Sequence, residues 1–312
     1  MLDQRSGKWK ARREYWLEQI PYSSEGRDDK LTIAMSATSG FYTDKTKLEK
    51  DLKRKLTTEE YEDKWFVPRK RGMDSSGTSV FDPVLAEIAL TWFSDEGQSV
   101  LDPFAGSGTR GIMSGLLGRS YLGVDLSADQ IAANKDQLRQ AEGIAADVRW
   151  IHGDSQQVLP TLKPEYDLLF SCPPYFDLEK YSKDPDDLSN LPWPKFVDVY
   201  RDIISKACRL LRDDSFAFWV IGEVRDKKTG RYRGLVQETV KAFEDAGLAY
   251  YNEMILVSPL GGLPTRSAET FLTARKVGKC HQNVLVFVKG DPRVATERAG
   301  APPVLEEILE DE

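Results

Sequence analysis

The chain has 312 residues, 40% of them hydrophobic, enough to bury a sizeable core in one large domain or two small ones. A formal net charge of -7 argues against a protein that coats nucleic acid indiscriminately, so any basic surface must be local. Cys172, Cys208 and Cys280 are too few and too scattered for a disulfide framework; no apolar run reaches membrane-spanning length and the charged start lacks a leader, so a cytoplasmic protein with reduced thiols is expected.

Residues 1–78 are polar and rich in both signs of charge, which predicts a helical, charged N-terminal extension. Its basic residues interleave with Trp9, Tyr15, Trp16, Tyr61, Trp65 and Phe66, the residue types of a phosphate-tracking, base-stacking surface. A solvated helix pair whose aromatic residues anchor it on the main domain is the other reading, and both stay open. Residues 71–78 form the expected linker. Asp82 then caps a helix opened by Pro83, with Val84, Leu85, Ile88, Ala89 and Trp92 on one face.

From residue 99 onward apolar runs alternate with helix-period segments, the pattern of a doubly wound parallel sheet. Strands are predicted at 100–102, 121–125, 148–152, 166–170, 216–224, 250–257 and 283–289, with helices at 110–117, 128–142, 156–162, 195–211 and 235–246. Only a turn-rich stretch, 258–282, precedes the last strand, so that strand is expected to be antiparallel. Residues 291–312 read as an acidic, mobile tail.

Two motifs carry the chemistry. Residues 99–111 read S-V-L-D-P-F-A-G-S-G-T-R-G, a strand that breaks into a glycine turn where the backbone can lie against a ligand. Gly106, Gly108 and Gly111 also satisfy the dinucleotide fingerprint, with Asp125 at the distance of a ribose-binding acid, so this stretch alone does not separate a nicotinamide enzyme from a methyl-transferring one. Residues 170–176 read F-S-C-P-P-Y-F at the end of another apolar run. Asp-Pro-Phe-x-Gly-x-Gly-Thr followed by x-Pro-Pro-Tyr closely resembles the S-adenosylmethionine-dependent amino-methyltransferases, which modify an exocyclic amine of adenine or cytosine in DNA.

That resemblance implies an α/β class I methyltransferase fold, a mostly parallel seven-stranded sheet, over residues 79–290. It implies that Asp102, Phe104 and the backbone of Ala105, Gly106 and Gly108 hold the methionine part of the cofactor, that Asp125 accepts from the ribose hydroxyls, and that Asp154 or Ser155 meets the adenine amine. The side chain of Cys172 and the carbonyl of Pro173 would accept from the target amine, Pro174 would stiffen the turn, and Tyr175, with Phe176 beside it, would stack on the extruded base. Arg266, Arg275, Lys276 and His281 fall in the loop expected near DNA. With His152 and His281 the only histidines, no metal site is expected, and His152 is expected inside the sheet.

The chain departs from the family at Cys172, where Asp, Asn or Ser is usual. A thiol is a weak acceptor, which leaves the Pro173 carbonyl, an ionised Cys172 or Ser171 to serve, and leaves adenine and cytosine both open. Double-stranded DNA with a flipped base is the implied partner, with no membrane and with a monomer or homodimer. The layout resembles solitary phage or plasmid methyltransferases of restriction-modification systems. An RNA or protein methyltransferase, a nicotinamide oxidoreductase and a non-catalytic DNA-binding module on the same fold are the rival readings.

Overall fold

The central strand-forming runs are apolar on both faces, and a sheet built around such strands needs helices on each side. The computed structural model describes residues 1–21, 23, 49, 52, 54–55, 80–176, 187–260 and 263–302, and the side chains of Thr265, Arg266 and Glu269 lie outside that set. Its sheet has eight strands: β1 (Leu2–Asp3), β2 (Ser99–Asp102), β3 (Ser120–Asp125), β4 (Val148–His152), β5 (Tyr166–Ser171), β6 (Leu211–Ile221), β7 (Ala249–Val257) and β8 (His281–Lys289). They lie in the order β1-β7-β8-β6-β5-β2-β3-β4. Only β8 runs antiparallel to its neighbours, β6 and β7. This is the class I methyltransferase fold, with one short strand added at the β7 edge.

Alternation along β6 divides the core. Phe216, Phe218 and Val220 point to one layer and Ala217, Trp219 and Ile221 to the other, all buried. The first layer is covered by helices α1 (Gly7–Gln19), α2 (Pro83–Phe93) and α3 (Thr109–Leu116), with α4 (Ala128–Gln140) beside β3 and β4. The second is covered by α5 (Ser155–Val158), α6 (Trp193–Leu210) and α7 (Leu235–Asp245). Strand order reverses at β2, which pairs with β3 on one side and β5 on the other. That switch point is where an open parallel sheet holds its ligand, beyond the carboxyl ends of the strands.

Several boundaries differ from the sequence reading. The chain divides into two units, Met1–Pro21 with Phe81–Glu312, and Tyr22–Val80, so the first 21 residues do not belong to a separate extension. The reason is polar as well as apolar. Trp9 donates its indole N–H to Asp82 at 2.9 Å, Trp16 donates to Glu87 at 2.7 Å, and Arg12 forks onto the same Glu87 carboxylate. Trp9 and Trp16 are thus packing anchors, while Tyr61, Trp65, Phe66 and the linker at 71–78 lie outside the described residues.

The turn-rich stretch before the last strand contains helix α8 (Leu263–Ala274). The expected mobile tail begins with helix α9 (Pro292–Ala299), capped by Asp291 and burying Ala295 and Ala299; residues 303–312 lie outside the described set. The fifth predicted strand, 216–224, starts five residues earlier and ends at Ile221, because Gly222 and Glu223 already belong to the turn into α7. His152 is exposed at the end of β4, its Nε2 3.0 Å from the Leu126 carbonyl oxygen, and not inside the sheet.

Candidate active site

The turn after β2 is held from below by one carboxylate. Asp102 has no exposed surface, and its Oδ1 accepts from the Phe104 N–H at 3.1 Å and from the Ser171 hydroxyl at 2.5 Å. Its Oδ2 accepts from Arg110 Nε at 2.6 Å and from the Tyr121 hydroxyl at 2.8 Å. The buried Arg110 also donates to the carbonyls of Phe104, at 2.6 Å, and Ala105, at 2.9 Å. Burial disfavours the Arg110 charge most strongly, yet Asp102, Tyr121 and Cys172 together raise the guanidinium pKa. Four donors thus occupy Asp102, which fixes the loop from inside.

Gly106 has φ 50, a left-handed conformation open to glycine, and that turn directs its N–H to Asp125 Oδ2 at 2.7 Å. Asp125 Oδ1 accepts from the Ser127 N–H at 2.8 Å. Burial pushes the Asp125 pKa above the ordinary carboxylate value, against the pull of those two amides. A Cβ on Gly106 would meet nothing within 4 Å, so open space flanks the turn on the side facing away from the core. Gly111 differs: a Cβ there would lie 2.4 Å from the Trp150 ring, so its hydrogen lets α3 settle on the sheet. Asp154 caps α5 through the Gln156 N–H, and Ser155 donates to the Pro103 carbonyl at 2.6 Å, tying the end of β4 to the same turn.

β5 lies beside β2, and the Ser171–Asp102 hydrogen bond joins their ends. The residues after Ser171 therefore leave the sheet next to the glycine turn. Cys172 Sγ is 3.6 Å from the Tyr175 hydroxyl. The Tyr175 ring packs on Gly222 so closely that a Cβ there would stand 2.8 Å from it. Tyr175 and Gly222 line a cavity of about 310 Å³ with Glu223, Ser258, Leu260, Lys279, His281 and Gln282 among its walls. Burial and the neighbouring Lys279 hold the His281 pKa below its ordinary value.

Two expected roles do not fit these positions. Phe176, expected to stack on a base, is 5% exposed at φ 54, edge-on to Trp193 and Phe196, with Arg233 over its ring. It anchors the corner in the core. Ser171 is fully buried and already donates to Asp102, so it does not stand in for Cys172. Of the basic loop residues, Arg275 is exposed over the Phe271 ring, Lys276 lies against Gly230, and the side chain of Arg266 is outside the described set. Residues 177–186 are outside it as well. Arg110, Gly222 and Lys279 were not among the expected site residues. Arg110 had one signal: a charge on the otherwise apolar face of a helix that follows the glycine turn.

Comparison with known proteins bears on the glycine turn most directly. Residues 7–136 match the DNA methylase family, N6_N4_Mtase. The methylase match includes residues 99–111 and ends before Cys172. A ribosomal protein uL3 glutamine methyltransferase of Burkholderia pseudomallei is 31% identical over 150 residues, 44% of this chain and 48% of that protein. The orphan methyltransferase M.BamHII of Bacillus amyloliquefaciens is 36% identical over 61 residues, 20% of this chain and 23% of that one. The aligned regions therefore span less than half the length of these curated relatives. Among solved structures, a TehB-like SAM-dependent methyltransferase from Corynebacterium glutamicum is 20% identical with a TM-score of 0.43, covering 72% of this chain and 96% of that one.

The methylase match covers residues 7–136, and the strand order is that of the class I methyltransferase fold. S-adenosylmethionine is the cofactor of that family, and the residues here fit it at two points. The open space beside Gly106 admits a ligand against the backbone, and each Asp125 oxygen, bonded to one amide, retains capacity for a ribose hydroxyl. Asp102, expected to hold the methionine part, already accepts from four donors within the protein, which places it in shaping the turn.

Proposed function

We propose that this chain transfers a methyl group from S-adenosylmethionine to an exocyclic amine of a DNA base, N6 of adenine or N4 of cytosine, swung out of the duplex. The observation that carries this reading is the Ser171–Asp102 hydrogen bond, because it makes the glycine turn and the Cys-Pro-Pro-Tyr corner immediate neighbours. When bound, the cofactor supplies a methyl on a sulfonium, so the carbon–sulfur bond breaks as the carbon–nitrogen bond forms and the amine releases a proton to solvent.

The residues of the chain supply position and charge. An exocyclic amine conjugated to its ring lacks an available lone pair, and acceptors aimed at its hydrogens draw the nitrogen toward tetrahedral geometry and then disperse its developing positive charge. In this reading the Pro173 carbonyl is the stronger acceptor and Cys172 the weaker, since a thiol accepts poorly. Pro173 and Pro174 restrict the corner. Tyr175, backed by Gly222, offers its ring to the base. Asp125 holds the ribose, with Asp154 and Ser155 at the adenine end. Arg275 and Lys276 would meet the phosphates, and the setting implied is a cytoplasmic solitary methylase of a restriction-modification context.

A second reading has an observation of its own, the likeness to a protein glutamine methyltransferase. A side-chain amide nitrogen is conjugated in the same way, so the same acceptors would serve it. Incubation with methyl-labelled S-adenosylmethionine and, separately, duplex DNA, RNA and ribosomal protein distinguishes them. Label in DNA nucleosides is expected; label confined to protein or RNA would replace the DNA reading.

A further inference from the structure

The cavity beneath Tyr175 is walled by the carboxyl ends of β6 and β7 and the start of β8, and Lys279 is the one cationic side chain among its lining residues. Glu223 faces the same space, but its Oε1 accepts from the amides of Val224, Gly234 and Leu235 at 2.9 to 3.0 Å and so belongs to the turn into α7. Lys279 Nζ gives one hydrogen bond, to Asn283 Oδ1 at 3.2 Å, and Asn283 is oriented in turn by donating to Glu253 at 2.7 Å. An ammonium has three protons to donate, so capacity remains for a ligand. His281, with its lowered pKa, does not add a second charge at neutral pH.

A half-buried ammonium is matched best by an anionic oxygen and, on a neutral nucleobase, by a carbonyl oxygen, where a charge-assisted hydrogen bond offsets its desolvation. Cytosine presents such an oxygen, O2, two ring positions from the atom that bears its amine; adenine has no carbonyl. We propose that Lys279 is a specificity-determining residue and that the target base is cytosine, with O2 accepting from Nζ while the amine at C4 points back toward Cys172 and Pro173. This inference rests on the reading of the site as a base-modifying one.

The test uses the full chain, S-adenosylmethionine and a duplex of mixed sequence, with nucleosides identified by mass spectrometry. N4-methylcytosine is expected from the wild type. Lys279→Met, which keeps length and removes charge, is expected to lower kcat/KM roughly ten- to hundredfold, the loss lying in KM, with the cofactor Kd unchanged. If that variant does not fold, a duplex whose cytosines are replaced by an analogue lacking O2 supplies the same comparison with the wild type, and weakened binding is expected. N6-methyladenine as the product, or an unaltered KM with both the variant and the analogue, would overturn the inference while leaving DNA methylation standing. Cofactor binding without any methyl in DNA would instead overturn the reading beneath it, and this inference with it.

Discussion

Asp102 and Arg110 form a buried pair whose members depend on each other more than on any ligand. Their side chains are 0% and 4% exposed, and removing one leaves the other charge buried without its counter-charge. Arg110→Met is therefore expected to destabilise the fold by about 3–5 kcal/mol and to abolish cofactor binding, measured by denaturant titration and calorimetry. Arg110→Lys should keep part of the stability, since it restores the charge without the fork that ties Phe104 and Ala105. Asp125 gives a pH signature. Its pKa is raised above 3.8, chiefly by burial, so on acidification it protonates earlier than an ordinary Asp, and cofactor affinity should begin to fall above the usual carboxylate range. The sign for stability is opposite: the contribution of this group is complete below 3.8 and is lost as pH rises through the raised value. Asp125→Asn should flatten both trends. At this scale the sequence motif located Asp102 correctly at a strand end, yet four internal donors claim it. A motif gives position, and only packing reveals which oxygens are already bonded.

The corner after β5 and the turn after β6 act as one element, because the Tyr175 ring rests where Gly222 has no side chain. Gly222→Ala would drive a methyl into that ring at 2.8 Å, and the expected outcome is a lower kcat with little change in cofactor Kd and about 1–3 kcal/mol of lost stability. On the other face, helices α1 and α2 meet through Glu87, which is 5% exposed and takes both Arg12 and Trp16. Glu87→Ala should cost about 2–4 kcal/mol in a melt and release α1 before the sheet unfolds. The strands were legible as elements because each is an apolar run bounded by turn residues. α8 was not, since Phe271 and Leu272 are exposed and no buried stripe marks the described side chains of the helix. β1, two residues long, and α9, whose buried face is Ala295 and Ala299, carry too little apolar signal to be read.

For the molecule as a whole, the order of apolar runs was enough to foresee a doubly wound sheet, and the lack of a recognisable crossover helix before the last run pointed to a reversed final strand, which β8 is even though α8 lies in that connection. What it could not show is that residues 1–21 join that body, since their attachment is made by indoles and a guanidinium finding Asp82 and Glu87 some 70 residues away. The sheet brings the ends of β2 and β5 together, while the cavity under Tyr175 lies along β6, β7 and β8 on the other side of β5; the proposed function sets the cofactor at the first place and the target base at the second. A crystal structure of the protein with S-adenosylhomocysteine and a DNA duplex tests this most directly. The cofactor sulfur is expected beside the 105–108 turn with an extruded base against Tyr175, its amine within hydrogen-bond reach of the Pro173 carbonyl. A cofactor seated away from that turn, or a duplex whose bases all remain stacked, would contradict it.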